Sequence, residues 1–228
     1  YAQVPMAGCD GVDTAPNVTE TYLEYLPVPR SAWRLRGRAG AFYPPGTLEN
    51  RSAAWTTPYT LSFSAIDSWY AEELRTVGLE GGVERMGRMG GSAHDFGLTF
   101  GAFRWNDPAG AILSWRGWAL HDRQTGLFER LPLAPLPNFG EDGLYYPVQG
   151  AFDEPFVEID DRTGWYAAGE WSWLDRSVGR AVHYDNRGDP TRIEAGQWAW
   201  WTRFDRLGWH FRPSPAFDAV AQALAGST

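Results

Sequence analysis

The stretch WRLRGRAGAFY, residues 33–43, alternates between two kinds of side chain. Its odd positions, from Trp33 to Tyr43, are apolar or small, and Arg34, Arg36 and Arg38 stand between them. Successive side chains of a β-strand point to opposite faces, so this strand has one apolar face and one face with three cations. A soluble sheet would turn the arginines to water, whereas a membrane barrel would turn them to a polar lumen and present the aromatic rings to lipid.

The composition is that of an aromatic and acidic chain. Its 228 residues include 13 Trp, 26 Gly and 16 Pro, and the formal net charge is −8. This length is ordinary for a single all-β domain. Because no run of five or more Lys and Arg residues occurs, the sequence excludes nucleic acid and anionic membrane surfaces as partners.

Cysteine usage and the N-terminal residues bear on the compartment. Cys9 is the single cysteine, which excludes an internal disulfide. No apolar run reaches the about 18 residues of a transmembrane helix, and the first residues lack the basic and apolar pattern of a leader. We therefore expect that a leader has been removed or that the chain begins inside a longer protein, and that residues 1–17 form an irregular segment.

Alternation of period two recurs along the chain and is its main secondary-structure signal. Residues 18–26 are predicted to form a hairpin with the arginine strand through a turn at residues 27–31. Further strands are predicted within residues 72–84, 94–103, 111–115, 165–173, 177–184, 198–204 and 207–212, and residues 216–226 fit either a strand or a helix. Roughly nine or ten strands of about nine to eleven residues result, a length that suits tilted membrane strands.

Two stretches interrupt this pattern, residues 40–67 and residues 119–163. Connections of this length are uncommon in a compact domain unless they are functional or disordered. In a barrel they are expected to be extracellular or constricting loops. The acidic segment FDEPFVEIDD, residues 152–161, lacks the central glycine of a calcium loop, so we expect an exposed acidic loop there.

The sequence carries no catalytic signature. His94, His121, His183 and His210 lie far apart, and no nucleophile elbow, phosphate loop or dinucleotide fingerprint occurs. Carboxylate pairs for glycoside cleavage could be drawn from Glu72, Glu73, Asp160 or Glu170, but the chemistry depends on a separation that sequence does not encode. We therefore predict no catalytic residue, no metal and no cofactor, and we favour a role other than catalysis.

Five segments carry a resemblance to a known family: RLRGRAGAFYPPGTLEN, SAIDSWYAEELRTVGLEG, NDPAGAILSWRGWALHDRQTG, EPFVEIDDRTGWYAAGEWSW and HYDNRGDPTRIEAGQWAWWTRFDRLGW. They resemble uncharacterised porin-like outer-membrane proteins of Gram-negative bacteria, over about residues 18–227. The resemblance implies an all-β fold, an antiparallel up-and-down transmembrane β-barrel whose polar lumen passes small molecules. Porin-like chains are normally longer and end on a strand with a terminal aromatic residue, so residues 1–228 are interpreted as a single barrel domain or as part of a larger barrel.

The preferred hypothesis is a porin-like channel of the cell outer membrane, surrounded by lipid, that passes small polar or anionic solutes. Rings of arginine attract anionic solutes, typically with acidic residues opposite them. The residues expected to line the lumen are Arg34, Arg36, Arg38, Arg75, Glu80, Glu84, Arg116 and Glu170. Assembly into a homo-oligomer stays open, as does a purely structural barrel with a plugged lumen.

The alternative is a soluble β-sandwich that binds or cleaves carbohydrate with exposed Trp rings and paired carboxylates. The tryptophans at predicted strand ends suit membrane-interface anchors, ordinary core packing or sugar stacking; they are Trp33, Trp115, Trp171, Trp173, Trp198, Trp200 and Trp209. The two hypotheses differ in which strand face the protein covers. A barrel places the three arginines inside and leaves an apolar belt exposed, formed by Leu35, Ala39, Leu79, Val83, Leu98, Leu113 and Leu207, whereas a sandwich does the opposite.

Overall fold

The computed structural model describes residues 2–3, 17–50, 55–140, 142–145 and 148–228. Its main feature is an eight-stranded antiparallel sheet in the order β3-β4-β5-β6-β9-β10-β13-β14. The strands of this sheet are β3 (Thr21–Tyr25), β4 (Trp33–Phe42), β5 (Thr76–Arg85), β6 (His94–Arg104), β9 (Gly164–Trp173), β10 (Ser177–Asp185), β13 (Arg203–Ser214) and β14 (Phe217–Ser227). Within the described ranges β3 and β14 form the two edges, and no closed barrel is present.

Smaller elements accompany the sheet. Three two-residue ladders are formed by β1 (Ala2–Gln3) with β2 (Asn17–Val18), β7 (Leu131–Pro132) with β8 (Phe152–Asp153), and β11 (Ile193–Glu194) with β12 (Gln197–Trp198). The α-helices are α1 (Ala65–Glu73) and α2 (Ala111–Arg116), and single 3₁₀ turns occur at Arg88–Gly90 and Pro137–Phe139. In the part of the chain that the structure describes, no helix combines the length and the apolar character needed to cross a bilayer.

The connections between the sheet strands differ at the two ends of the sheet. Residues 26–32, 86–93, 174–176 and 215–216 make short turns at one end, which we call the short-turn end. Residues 43–75, 105–163 and 186–202 make long connections at the opposite end, which we call the long-loop end. The antiparallel order forces this separation, because successive connections of an up-and-down sheet alternate between its two ends.

One face of the sheet carries an apolar row that crosses seven strands. Cross-strand register aligns Leu35, Val83, Leu98, Gly169, Ala181, Leu207 and Ala223. Leu35 is 67% exposed, Leu98 65% and Leu207 62%. We call this the exposed face, because the side chains in the middle of the sheet that should form a core instead lie open.

The opposite face, which we call the covered face, packs against the chain's own long connections. Helix α1 lies over it and buries Trp69 and Tyr70 against Phe204 of β13, with ring centroids 5.4 Å and 5.8 Å from Phe204. Phe103 and Tyr184 complete this core from β6 and β10. A second small core at the long-loop end contains Ile112, Leu131, Leu133 and Phe139. The covered face therefore holds both the arginines and the packed interior.

Several sequence predictions are confirmed by the strand register. The predicted hairpin is present, since Tyr25 pairs with Gly37 and Thr21 with Ala41. The ambiguous C-terminal segment is a strand, because its backbone pairs with β13 along its length. Cross-strand hydrogen bonding and packing outweigh the helix preference of its alanines there.

Other predictions were wrong. Residues 72–84 are not one strand: Glu73 ends α1, and β5 begins at Thr76. Ser64 caps the helix by accepting a hydrogen bond from the Asp67 amide at 3.3 Å, and helical spacing brings the aromatic side chains of α1 onto the sheet. Residues 111–115 form α2 rather than a strand, so Leu113 does not belong to the exposed face.

The predicted loop and segment bounds also change. The strand predicted at residues 198–204 starts only at Arg203. The stretch 40–67 includes the end of β4 and the start of α1, and 119–163 lies within the β6–β9 connection with the short strands β7 and β8. Of the expected irregular segment 1–17, residues 1 and 4–16 lie outside the described residues.

Candidate functional site

Charged side chains face each other in pairs across the strands of the covered face. Arg34 of β4 lies opposite Glu84 of β5 and donates from Nε to Oε2 at 3.0 Å. Arg38 lies opposite Glu80 and donates from Nε and Nη2 to its two oxygens at 3.0 Å and 2.8 Å. Glu80 and Glu84, two of the three acidic residues predicted to face the arginines, therefore contact them directly. Arg34, Arg36 and Arg38, which we call the arginine ladder, belong to a row of ion pairs.

Arg36 lies between these two pairs. Its Nε is 3.1 Å from Oε1 of Glu84, and its Nη1 is 3.8 Å from Oε1 of Glu80. Its Nη2 donates to the hydroxyl of Thr99 on β6 at 2.7 Å. The side chain crosses Gly82, where a Cβ would stand 3.0 Å from Nε of Arg36. A glycine at position 82 thus lets the guanidinium lie flat across β5.

Glu170 of β9 has a different partner from the one expected. It lies opposite Arg180 of β10 and accepts hydrogen bonds from Nε at 2.9 Å and from Nη2. Arg180 also donates to the carbonyl oxygen of Thr47 at 2.5 Å, in the connection that follows β4. Arg180 was not predicted as a site residue, although the alternation of its strand places it on the same face as Val178 and Val182.

Two of these pairs, Arg34–Glu84 and Arg180–Glu170, border a cavity of about 490 Å³ on the covered face. Its floor is made by small residues of the central strands, Gly97, Thr99 and Ala168, and its sides carry Arg34, Arg36, Glu84, Glu170 and Arg180. Pro45 borders it on the side of the long connections, and residues of the short turns, among them Met86 and Asp175, border it on the other. The cavity is therefore a polar cleft next to the short-turn end.

The electrostatic character of this cleft is mixed. Arg34 and Arg180 each have a carboxylate at the cross-strand partner position, and Arg36 lies beside two carboxylates. Opposite charges at this distance offset each other's field. A wall of paired charges attracts an anion far less than three unpaired arginines would, so the sequence-based emphasis on anionic solutes is weakened.

Arg75, the next residue predicted to line the lumen, lies elsewhere. It precedes β5, is fully buried, and donates from Nη2 to the carbonyl oxygen of Thr125 at 2.8 Å. Its guanidinium carbon stands 3.4 Å from the ring centroid of Tyr43. Burial lowers the pKa of Arg75. Its contacts fasten the long connections to one another, at a distance from the cleft.

Arg116 also lies away from the cleft, at the end of α2. It donates from Nη1 to Oε1 of Glu72 at 3.1 Å and from Nη2 to Oε2, and Nε2 of His121 is 3.1 Å from the same carboxylate. Burial would raise the pKa of Glu72, but hydrogen bonds from His121 and Arg116 outweigh it and lower the pKa to about 2. This triad joins α1, α2 and the segment after α2.

A buried network that sequence reasoning missed anchors α1 to the last two strands. Nη2 of Arg206 on β13 contacts Oδ1 of Asp67 and Oε1 of Gln222, and both members of the Arg206–Asp67 pair have fully buried side chains. Asp67 also accepts from Thr47 at 2.8 Å, and Gln222 donates to Glu49 at 2.9 Å. The available signal was the polar residue Arg206 between the apolar Phe204 and Gly208 on the same face.

The acidic segment at residues 152–161 is more buried than expected. Asp153 has no exposed surface, and Asp160 is largely buried. Oδ2 of Asp107 accepts from the backbone amides of Ile159 and Asp160 at 2.5 Å and 3.1 Å. Burial raises the pKa of Asp107 to about 7. The prediction of an exposed acidic loop was wrong, because the carboxylate of Asp107 binds backbone amides of the segment and holds the segment inside the protein.

The tryptophans predicted at strand ends lie in two places, on the exposed face and at the second core of the long-loop end. Register places Trp33, Phe96, Trp171 and Trp209 in one row near the short-turn end of the exposed face. Trp173 follows one row further out. By contrast Trp115, Trp198 and Trp200 pack at the second core of the long-loop end. The ring centroids of Trp115 and Trp200 are 6.0 Å apart.

Comparison of the chain with protein-family models, with curated proteins and with solved structures found no match. The function must therefore be argued from the arrangement of the residues themselves.

Proposed function

We propose that this chain forms the wall and inner loops of a porin-like β-barrel of the outer membrane, which passes small polar solutes along the cleft of paired charges. The main support for the proposal is that the polar and apolar residues lie on the opposite faces from those expected of a sheet in water. The arginines lie on the face that the sheet's own loops cover, with side chains only 21% (Arg34), 26% (Arg36) and 15% (Arg38) exposed, whereas the leucine row lies open. A protein whose sheet is surrounded by water is expected to show the reverse arrangement, since apolar surface is driven out of water.

The size of the exposed apolar face supports a membrane environment. Its large side chains, each about half to two-thirds exposed, are Trp33, Leu35, Leu79, Phe96, Leu98, Phe100, Leu207 and Trp209. At roughly 100 Å² each, they present roughly 800 Å², more than the largest apolar patch of an ordinary soluble monomer. At about 25 cal/mol per Å², covering this surface with hydrocarbon is worth about 20 kcal/mol.

The dimensions of the strands support the same proposal. β9 has ten residues, which span about 33 Å at about 3.3 Å each. With the about 40° tilt of barrel strands this becomes about 25 Å, the height of the apolar band of an outer-membrane barrel. Trp171 and Trp173 lie near one end of β9 and Trp165 near the other, as aromatic residues do at the two membrane interfaces.

The connections fit a porin-like arrangement as well. Barrels of this kind join their strands by short turns on one side and longer loops on the other. Here the long connections also fold onto the covered face, so α1 would lie inside the lumen and narrow it. The edges of β3 and β14 would both be paired in a closed barrel, because bare backbone polar groups are not tolerated in hydrocarbon.

The carbohydrate-active sandwich receives less support. It requires exposed Trp rings and carboxylates on one surface, but Trp33 and Trp209 lie on the exposed face while Glu84 and Glu170 lie on the covered one. It also requires a second layer over the leucine row. A soluble sandwich would therefore need its Trp rings and carboxylates on the same surface and a further layer of protein over the leucine row.

The test is insertion followed by conductance. We expect the full chain to need detergent to remain monodisperse, to enter the outer-membrane fraction on expression in a Gram-negative host, and to give discrete conductance steps in planar bilayers. A chain that stays monomeric and soluble without detergent would refute the barrel. Stable insertion without conductance would leave the barrel and refute the channel.

A further inference from the structure

The cleft has a two-sided construction around Gly97. β5, β6 and β9 are neighbours, and register aligns Glu84, Gly97 and Glu170 across them. Neighbouring strands are about 4.8 Å apart, so the two glutamate backbones stand about 10 Å apart with the glycine between them. The outer neighbours in the same row are Arg34 and Arg180. Two arginine–glutamate pairs therefore face each other across a residue without a side chain.

The space above Gly97 is not filled by the neighbouring side chains. A Cβ built at Gly97 would meet the side chains of Glu84 and Glu170 at 3.8 Å each, an ordinary contact distance. Thr99 and Ala168, which are also small, form the adjoining floor. The cavity of about 490 Å³ lies in the range of small-molecule binding sites.

The free hydrogen-bonding groups of the cleft indicate what such a molecule should offer. Within the described residues, Nη1 of Arg34 and Nη1 of Arg36 donate no hydrogen bond, although the latter is 3.8 Å from Glu80. A carboxylate such as Glu84 has about four lone-pair positions and accepts from more than one donor. A hydroxyl group is both a donor and an acceptor, so it bonds to either member of a pair.

Charged solutes are less suited to this cleft. An anion that approaches the arginines also meets Glu84 and Glu170, and a cation that approaches the glutamates meets Arg34, Arg36 and Arg180. In either case the opposite charge close by offsets much of what the ion gains from its own partner. A neutral solute with several hydroxyl groups bonds to both members and leaves the pairs intact.

We propose that the cleft around Gly97 is a binding site for neutral polyhydroxylated solutes of about monosaccharide size. This deepens the proposed function and rests on it for the route by which the solute reaches the cleft. Gly97 is the residue that makes room, and the two arginine–glutamate pairs supply donors and acceptors on opposite sides.

The test compares three sugars that share one ring and differ in charge: glucose, glucuronate and glucosamine. Wild-type protein in liposomes should take up glucose with saturation, and at least tenfold faster than glucuronate or glucosamine at low concentration. Gly97→Val should fill the floor of the cleft and lower glucose uptake about tenfold. Gly81→Val is the matched control, since Gly81 lies on the exposed face of the neighbouring strand with no atom within 4 Å of its Cβ position.

Gly97→Ala should lower glucose uptake less than Gly97→Val does. Circular dichroism shows whether each variant keeps its β-sheet. Equal uptake of all three sugars, faster uptake of glucuronate, or unchanged glucose uptake in folded Gly97→Val would overturn the site. Equilibrium dialysis of detergent-solubilised protein with labelled glucose separates the two proposals. Binding that Gly97→Val abolishes, without uptake, supports the site and refutes the channel, whereas uptake without binding or saturation refutes the site alone.

Discussion

Placing an arginine on the exposed face should reveal which medium that face contacts. Ala181 lies in the middle row, level with Leu98, Gly169 and Leu207, and its side chain is exposed. Since alanine is small and open, Ala181→Arg removes almost no packing, and the cost measures the surroundings alone. In lipid, an arginine at the midplane of a barrel costs about 2–4 kcal/mol. In water, such a surface change stays within about 0.5 kcal/mol.

Ala219→Arg is the matched control on the same face. Ala219 pairs with Phe211, in the row that also contains Trp173 and Ser177. That row is four residues from the middle row, about 13 Å along a strand and about 10 Å in depth after a tilt of about 40°. An arginine there reaches the membrane interface, where the expected cost is only about 0–1 kcal/mol.

The measurement is reversible guanidinium unfolding of the protein in phospholipid vesicles, followed by tryptophan fluorescence. The expected difference between the two variants, about 2–3 kcal/mol, changes the unfolding equilibrium constant by about thirty- to more than a hundredfold. Equal effects of both substitutions, each within about 0.5 kcal/mol of wild type, would show that the exposed face does not contact hydrocarbon, and the reasoning from its leucine row would fail.

Three further predictions concern the charged side chains. Arg36→Glu places a third carboxylate beside Glu80 and Glu84, which lie 3.8 Å and 3.1 Å from the present guanidinium, so the reversal potential in a KCl gradient should shift towards cation selectivity; no shift would remove Arg36 from the conduction path. Arg206→Leu leaves Asp67 as an unpaired buried charge and should lower the free energy of unfolding by about 3–5 kcal/mol, whereas Arg88→Leu, which breaks the exposed pair with Asp175, should cost about 0–1 kcal/mol; similar losses in both would contradict an anchoring role for Arg206. Because the pKa of Glu72 falls from 4.5 to about 2 on folding, this residue binds more protons in the unfolded chain between those values, so the contribution of Glu72 to stability should rise with pH across that window and stay level above it. Glu72→Gln should remove about 3 kcal/mol of this rise, measured as the difference between wild-type and variant unfolding curves, and an unchanged slope would contradict the ion triad.

Much of the sheet was predictable because its signals are local. Alternation of period two in residues 33–43 identified β4 and its two faces, and the turn predicted at residues 27–31 located the hairpin of β3 and β4. The assignment of Leu35, Leu98 and Leu207 to an exposed face agrees with the structure, since one register choice fixes the face of every second residue. Glu80 and Glu84 were named as partners of the arginine ladder before their register was known.

The rest could not be predicted because it depends on contacts between distant segments. Residues 65–73 and 111–116 contain no pattern that separates a short buried helix from a strand, and only the packing of Trp69 and Tyr70 on the sheet decides the matter. Arg75 and Arg116 resemble ladder arginines in sequence, yet each lies outside the sheet: Arg75 donates to the carbonyl oxygen of Thr125, and Arg116 donates to Glu72 of α1. The pairing of Glu170 with Arg180 required the order of β9 and β10.

By itself the sequence determined that the arginine strand has one apolar and one cationic face, because side chains alternate along any extended chain. Only the tertiary structure decided that the cationic face is a covered row of ion pairs around a glycine floor, because strand order and register choose which charges meet. It also decided that α1 and the long connections cover that face, since helix packing and the Arg206–Asp67 pair join residues more than a hundred positions apart.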